Sequence, residues 1–262
     1  MSTHLHLGKY YRYLFKDANL LVVIGYFEEV LRSKVLYEER YGIVPASGEV
    51  GRTLEELLKA AALAAVSLPE RESWGITLTL PGSPHGFFSG VEPEGMICGT
   101  ARPSDADRNA AYVQRQKGEE PLTQSYYQPN TDDPVTAVEA YFVQSVQVET
   151  RIVLGQDHAG VLVQALPGGR FEEVSALAER DLMVLFTQMA SRGELEPMGE
   201  VLVFYECRCS EDVILNMVSK LPAPRQQELW GADRTITAEC PRCGREYILE
   251  KSAVASPKRS RR

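Results

Sequence analysis

The chain has little of what most catalytic, secreted and membrane proteins depend on. Its 262 residues include four histidines, two tryptophans and five cysteines. No uninterrupted apolar run approaches the roughly 20 residues that a membrane-crossing helix needs, so no membrane partner is expected. The start, MSTHLHLGKYYRYLF, lacks the basic, apolar and cleavage segments of a signal peptide in that order, and a cytoplasmic location is the expectation. Five cysteines in a chain read as cytoplasmic argue against a permanent disulfide framework. His4, His6, His85 and His158 join no recognisable nucleophile motif, and Asp157-His158 reads as a hairpin turn rather than a catalytic pair. An enzyme is not the expectation. Internal repeats are absent as well.

What is present is an ordinary globular composition, with 44% hydrophobic and 24% charged residues. The length suits one large domain or a main domain with a smaller appendage. The net charge of -8 is unevenly spread. Residues 1–200 carry 17 basic against 28 acidic side chains, whereas residues 201–262 carry 11 against 8. Much of that late excess lies in the final KRSRR, which reads as a frayed basic tail. An acidic main body repels phosphate, so nucleic acid is disfavoured as a partner.

The first part mixes strand and helix signals. KYYRYLF and LLVVIGYF are aromatic and β-branched and predict strands. From Glu28 to about Tyr41, Val30, Leu31, Val35 and Leu36 recur at helical intervals. After Pro45-Ala46-Ser47-Gly48, a second helix is predicted from Thr53, with Thr53 and Glu56 as a capping box and its alanines suited to close packing. WGITLTL, FFSGV, GMICGT and SYYQP read as strands, whereas the polar stretch from Arg102 to Glu120 reads as an exposed loop. A helix near Pro134–Gln147 precedes two strands, TRIVLG and GVLVQAL. From Phe171 to Arg192 a helical run carries Val174, Leu177, Leu182, Leu185, Phe186 and Met189 along one face. That run is either a core-packing helix or a linker with a flexible, methionine-rich face for varied apolar partners. Together these signals predict an α+β fold. A mixed sheet-and-helix domain occupies residues 1–169, a helical linker 170–200, a small zinc-binding domain 201–250 and the tail 251–262.

Four of the five cysteines fall in ECRCS and AECPRCGREY, with thirty residues between the pairs. Tetrahedral zinc takes four thiolates, and Cys207, Cys209, Cys240 and Cys243 supply them as C-x-C and C-x-x-C. Pro241 and Gly244 suit the tight turn of the second half-site. Ser210 reads as the cap of a helix in SEDVILNMVSKL, and TITAEC as a strand leading to the second pair. A module of this size has little core of its own, and structural zinc contributes about 10–16 kcal/mol in such modules. Removing the metal is therefore expected to unfold most of residues 204–250. Four protein ligands leave no open position for substrate or activated water, which again disfavours an enzyme. Arg208, Arg242 and Arg245 beside the ligands favour thiolate over thiol. Cys98, in the apolar GMICGT, reads as a small buried hydrophobe. On the residues alone, a static zinc ribbon that binds protein or nucleic acid and a redox switch are both open.

The order of features resembles the redox-regulated holdase chaperones of the thirty-three-kilodalton heat-shock protein family. FYECRCS and CPRCGREY look like that family's zinc signature, and VGRTLEELLKAAALAA, PEGMICG, YYQPN through AYFVQSVQVETRIVLG, and ALPGG resemble its other landmarks in order. The resemblance implies one zinc per chain in a reduced, inactive state. It also implies oxidation to disulfides Cys207–Cys209 and Cys240–Cys243, zinc release, and unfolding of the zinc domain and linker. The exposed surface then holds unfolded or misfolded client proteins without ATP, and the oxidised form tends to a homodimer. The sequence departs from the family between Cys98 and Tyr126, where SDADRNAAYVQRQKGEE replaces a longer glycine-rich segment and a further strand.

Overall fold

The structure, a computed structural model, describes residues 6–68, 72–105 and 109–254; the KRSRR tail lies outside the described residues. Strands β1 (Gly8–Phe15) and β2 (Leu20–Tyr26) lead into helices α1 (Glu28–Tyr41) and α2 (Gly48–Ser67). Five strands follow, β3 (Ser73–Thr79), β4 (His85–Val91), β5 (Met96–Pro103), β6 (Ala110–Gln116) and β7 (Thr123–Tyr127). Helix α3 (Pro134–Tyr141) continues as a π-helical turn, Phe142–Val146, before β8 (Thr150–Leu154) and β9 (Ala159–Ala165). Then come α4 (Glu172–Ser175), α5 (Glu179–Ser191) and β10 (Glu196–Tyr205). The last part holds α6 (Glu211–Ser219), α7 (Ala223–Trp230), the hairpin β11 (Thr235–Glu239) and β12 (Glu246–Glu250), and α8 (Lys251–Val254). The α+β class expected from the sequence is what the chain adopts.

Ten strands form one sheet in the order β7-β6-β3-β4-β5-β10-β1-β2-β9-β8. Its pairings are antiparallel except for β10 with β5, a parallel contact of two residue pairs, Phe204 with Met96 and Tyr205 with Ile97. On one face α2 is buried along its length through Leu54, Leu57, Leu58 and the run Ala60–Ala64. Small residues permit this approach: a Cβ on Gly99 would stand 2.9 Å from Leu58, and one on Gly25 would stand 3.1 Å from Leu63. The helix starts at Gly48, five residues before the expected Thr53, and no side chain caps it. The Gly51 amide closes the first turn on the Ser47 carbonyl, and Gly51 passes so near the Ala46 carbonyl that only a glycine fits. Thr53 and Glu56 thus lie inside the helix rather than at its start.

The other face has a second core, in which α4 and α5 cover β2, β8 and β9. Val174, Leu182, Met183 and Phe186 pack with Leu20, Val22, Ile24, Val161 and Val163. The helical run expected over 171–192 is broken near Ala178, and Leu185 faces outward at 37% exposure while Met183 takes an inward place. Arg151 fastens the break by donating to the carbonyls of Ser175 and Leu177, each at 2.7 Å.

Two further expectations are corrected. The polar stretch read as a loop contains β6, which pairs with β3 and β7 and buries Ala111 and Val113 on alternate positions. Its outward Gln114 and Gln116 made the segment look like a loop, yet the sheet there has the strand that the sequence seemed to omit. In α1 the buried residues are Val30, Tyr37 and Glu38, whereas Val35 and Leu36 are exposed. β10, α7 and β12 had no counterpart in the sequence reading.

Gly95, at φ +87°, makes the turn into β5, and a Cβ there would stand 2.0 Å from the Leu202 carbonyl oxygen on β10. Gly95→Ala is expected to cost about 1–3 kcal/mol from backbone strain alone, with the clash added, read as a lowered urea midpoint.

Candidate metal centre

Each half-site is built by local backbone geometry. Cys207 follows the end of β10, and Cys209 precedes α6, whose N-terminus is capped by the Ser210 side chain accepting from the Val213 amide at 3.2 Å. Cys240 and Cys243 lie in the turn after β11. There the Gly244 amide donates to the Cys240 carbonyl at 3.0 Å, and the Cys240 amide donates to the Arg245 carbonyl at 2.8 Å. Gly244 takes φ +82°, the left-handed conformation that glycine adopts without penalty.

The four sulfurs converge within 4.8 Å of one another, with Cys209 and Cys243 3.5 Å apart. Four thiolates at about 2.3 Å from a tetrahedral ion stand about 3.8 Å apart, so the cluster fits a metal ion of zinc's size and preference. Cys207, Cys240 and Cys243 are buried and Cys209 is partly exposed. The sulfurs titrate as one group: a hydrogen bond from Cys207 leads those that hold Cys209 low and Cys240 down at about 6, while bonds from those two hold Cys207 high. Two of the four thiols, Cys209 and Cys240, are thereby held toward the thiolate, the form that binds metal, while Cys207 and Cys243 are pushed toward the neutral thiol.

Side chains that the sequence reading missed complete the surroundings. The Tyr247 hydroxyl donates to Cys209 Sγ at 3.1 Å. Tyr37, from α1 on the main sheet, places its hydroxyl 3.4 Å from Cys243 Sγ and 3.9 Å from Cys209 Sγ. The backbone amide of Arg242 adds a bond to Cys240 Sγ at 3.4 Å. The seven-residue spacing from Val30 to Tyr37 was the available signal, since it puts both on one helical face.

The three flanking arginines also have partners outside the cluster, while the charges of Arg242 and Arg245 act on Cys207 and Cys209. Arg242 pairs with Glu92 at 2.5 Å and Arg208 with Glu94, while Arg245 stacks on Tyr41 with its guanidinium 3.7 Å from the ring centre. They fasten the cysteine module to α1 and to the β4–β5 turn as well. Arg102 on β5 does the same from the other side, donating to the Cys240 carbonyl at 2.5 Å and pairing with Glu239 at 2.9 Å. Burial alone would raise the Glu92 carboxyl, but bonds from Ser73 and Arg242 outweigh it and hold it below its ordinary value. Asp157 and His158 form the β8–β9 turn, with His158 at φ +58°.

The model of the Hsp33 protein family matches residues 29–250. The chain belongs to the Hsp33 family. A crystal structure of a 33 kDa chaperonin, a heat shock protein 33 homologue from Thermotoga maritima, superposes with a TM-score of 0.67 at 16% identity. The match covers 95% of this chain and 97% of that one. No curated protein matches the chain. Hsp33 proteins are chaperones and not enzymes, and membership gives this chain a chaperone function, which implies binding of unfolded clients. Its four clustered cysteines are positioned to hold a metal ion. Among the described residues no helix is long and apolar enough to cross a membrane.

Two measurements probe this Hsp33 site. Tyr247→Phe removes the hydroxyl bond to Cys209 and is expected to weaken metal affinity about 10-fold, read by competition with a chelator. The Glu92 contribution is a depressed carboxyl: it is fully present above the unfolded value of about 4.3 and lost as pH falls through the lower folded value. Urea midpoints of wild type and Glu92→Gln should therefore differ at pH 7 and converge toward pH 3.

Proposed function

We propose that this chain is a redox-regulated, ATP-independent holdase. In the reduced state Cys207, Cys209, Cys240 and Cys243 hold one Zn(2+) per chain. On oxidation they form disulfides, Cys207–Cys209 and Cys240–Cys243 in the family pattern, and the protein then binds unfolded or misfolded clients in the cytoplasm. Residues 201–250 act as the switch and 170–200 as the linker it controls. The oxidised form dimerises, and nucleic acid is not a partner.

The observation that carries this reading is the convergence of four sulfurs in a module with almost no other interior. Between residues 207 and 250, Ile214, Val218, Trp230, Tyr247 and Leu249 are buried. Val213, Met217, Leu221, Leu229 and Ile248 are exposed. Bound zinc supplies a tetrahedral crosslink between the two half-sites. When peroxide turns the thiolates into disulfides, all four ligands are withdrawn together and the module loses the contacts that depend on their spacing. Before it in the chain, with β10 between, lies α5, whose Leu182, Met183 and Phe186 cover apolar positions on β2, β8 and β9. Freed from the sheet, α5 would uncover Val22, Ile24, Val161 and Val163, a surface able to hold an unfolding chain.

The test follows zinc content, free thiols and aggregation suppression on one sample, before and after peroxide with mild heat. The expected result is loss of about one zinc per chain and of four thiols, with suppression appearing at the same time. Zinc release without suppression would rule out the activation step, and suppression by the reduced, zinc-loaded protein would rule out the redox control.

A further inference from the structure

The Tyr37 hydroxyl is buried where only sulfur serves it. The residue is 3% exposed on α1, and its hydroxyl lies 3.4 Å from Cys243 Sγ and 3.9 Å from Cys209 Sγ. Among the described residues this hydroxyl has no other hydrogen-bond partner. Arg245 helps to aim it. That guanidinium stands 3.7 Å from the Tyr41 ring centre and 4.7 Å from that of Tyr247, which sets the end of α1 against β12. The Tyr37 ring also meets the end of β10, its centre 5.3 Å from that of Tyr205 and the planes 65° apart. Beyond the Gly8–Val203 pair, where β1 no longer runs alongside, the Tyr205 amide donates to Ser33 Oγ on α1 at 2.8 Å. On its other side β10 pairs with β5 at two positions, and the Tyr205 hydroxyl reinforces them by bonding the amide and the carbonyl of Gly99. At its start β10 leads back to the covering helix: Leu195, the residue before the strand, is buried in the core that α5 forms.

We propose that Tyr37 is a positioning residue that ties the docking of β10 to the state of the four sulfurs, so that losing the thiolates loosens the strand leading back to α5. This role rests on the redox reading above and supplies the step between the module and the helix. A thiolate accepts a strong, charge-assisted bond from the hydroxyl, whereas a disulfide sulfur is a weak acceptor. Once the thiolates are gone, the hydroxyl is a buried donor without an acceptor, which is unfavourable in the packed state. Tyr37 relieves this by turning out of its contact with Tyr205, and Ser33 on the same helix draws back from the Tyr205 amide. The two pairs with β5 and the Gly99 bonds are then left to hold the end of β10. Opening that starts there runs along the strand toward Leu195 and the core under α5.

The test uses the full-length protein under reducing conditions, so that no disulfide forms, with zinc added or removed by a chelator. In wild type, removing zinc is expected to speed exchange of the Phe204 and Tyr205 amide hydrogens about 10-fold. Tyr37→Phe keeps the ring and loses the hydroxyl, and there the same amides exchange at one rate with and without zinc. A residue that only fills space shifts both rates together and leaves the response to zinc intact, and that result overturns the coupling. Linkage supplies the converse measurement. Ser33→Ala removes the acceptor of the Tyr205 amide and leaves the Tyr37 hydroxyl in place. It is expected to weaken zinc binding about 5-fold in the wild-type background and not in Tyr37→Phe, and equal weakening in both overturns the proposal as well. A protein that releases zinc and suppresses aggregation after peroxide, yet shows no response to zinc at these amides, loses the coupling and keeps the redox reading. One that takes up no zinc loses both.

Discussion

Four sulfurs crowded within 4.8 Å are the constraint on which the rest of this structure turns. Three of them are buried, and buried negative charge at that density is stable only around a cation. The module that holds them encloses a handful of apolar side chains and leaves Ile248 72% exposed, so it is too small to fold on hydrophobic burial alone. The cluster also belongs partly to the main sheet, because Tyr37 of α1 touches two of its sulfurs. One point of coordination therefore organises the module and its docking together.

In the proposed redox switch, the covering of the sheet by α5 connects that point to chaperone activity. α5 is tied to the cluster by the chain itself, through β10, and it conceals Leu20, Val22, Ile24, Val161 and Val163, one face of the apolar runs of β2 and β9. Strands apolar on both faces need cover on both. α2 provides one cover permanently, sealed by its alanines, and α5 provides the other through a smaller set of contacts and the Arg151 fastening. In the redox reading, the asymmetry between these two covers lets one be shed while the fold survives.

The sequence made the site more legible than its setting. The four cysteines announced themselves because metal geometry imposes short, fixed spacings, and Ser210 did so because a helix start needs a side-chain acceptor. Long periodic segments such as α2 and β2 were equally plain, although α2 began earlier than its capping residues implied. What was hidden depends on partners distant in the chain. β6 is half polar because one face is open, and only its pairing with β3 makes it a strand. Cys98 looked like a core residue and is one, whereas Tyr37 drew no reading, and β10 likewise showed no sign in the sequence because its pattern is too exposed to read as an interior strand. Arg242 has a double role of which adjacency to a ligand suggested only half: its charge acts on Cys207, and it also pairs with Glu92, 150 residues away in sequence.

The position of β10 also sets the order in which the protein can be made. Its strand joins β5 to β1 and so connects the two halves of the sheet, yet it is formed by residues 196–205, and it reaches β1 by pairing Gly8 with Val203. A chain emerging from the ribosome must therefore carry β1 and β5 as unpaired edges until nearly four-fifths of it has been synthesised. Such edges are the usual templates for aggregation, and contacts this distant in sequence form slowly. A protein whose family guards other chains against aggregation is, for most of its own synthesis, exposed to the same hazard.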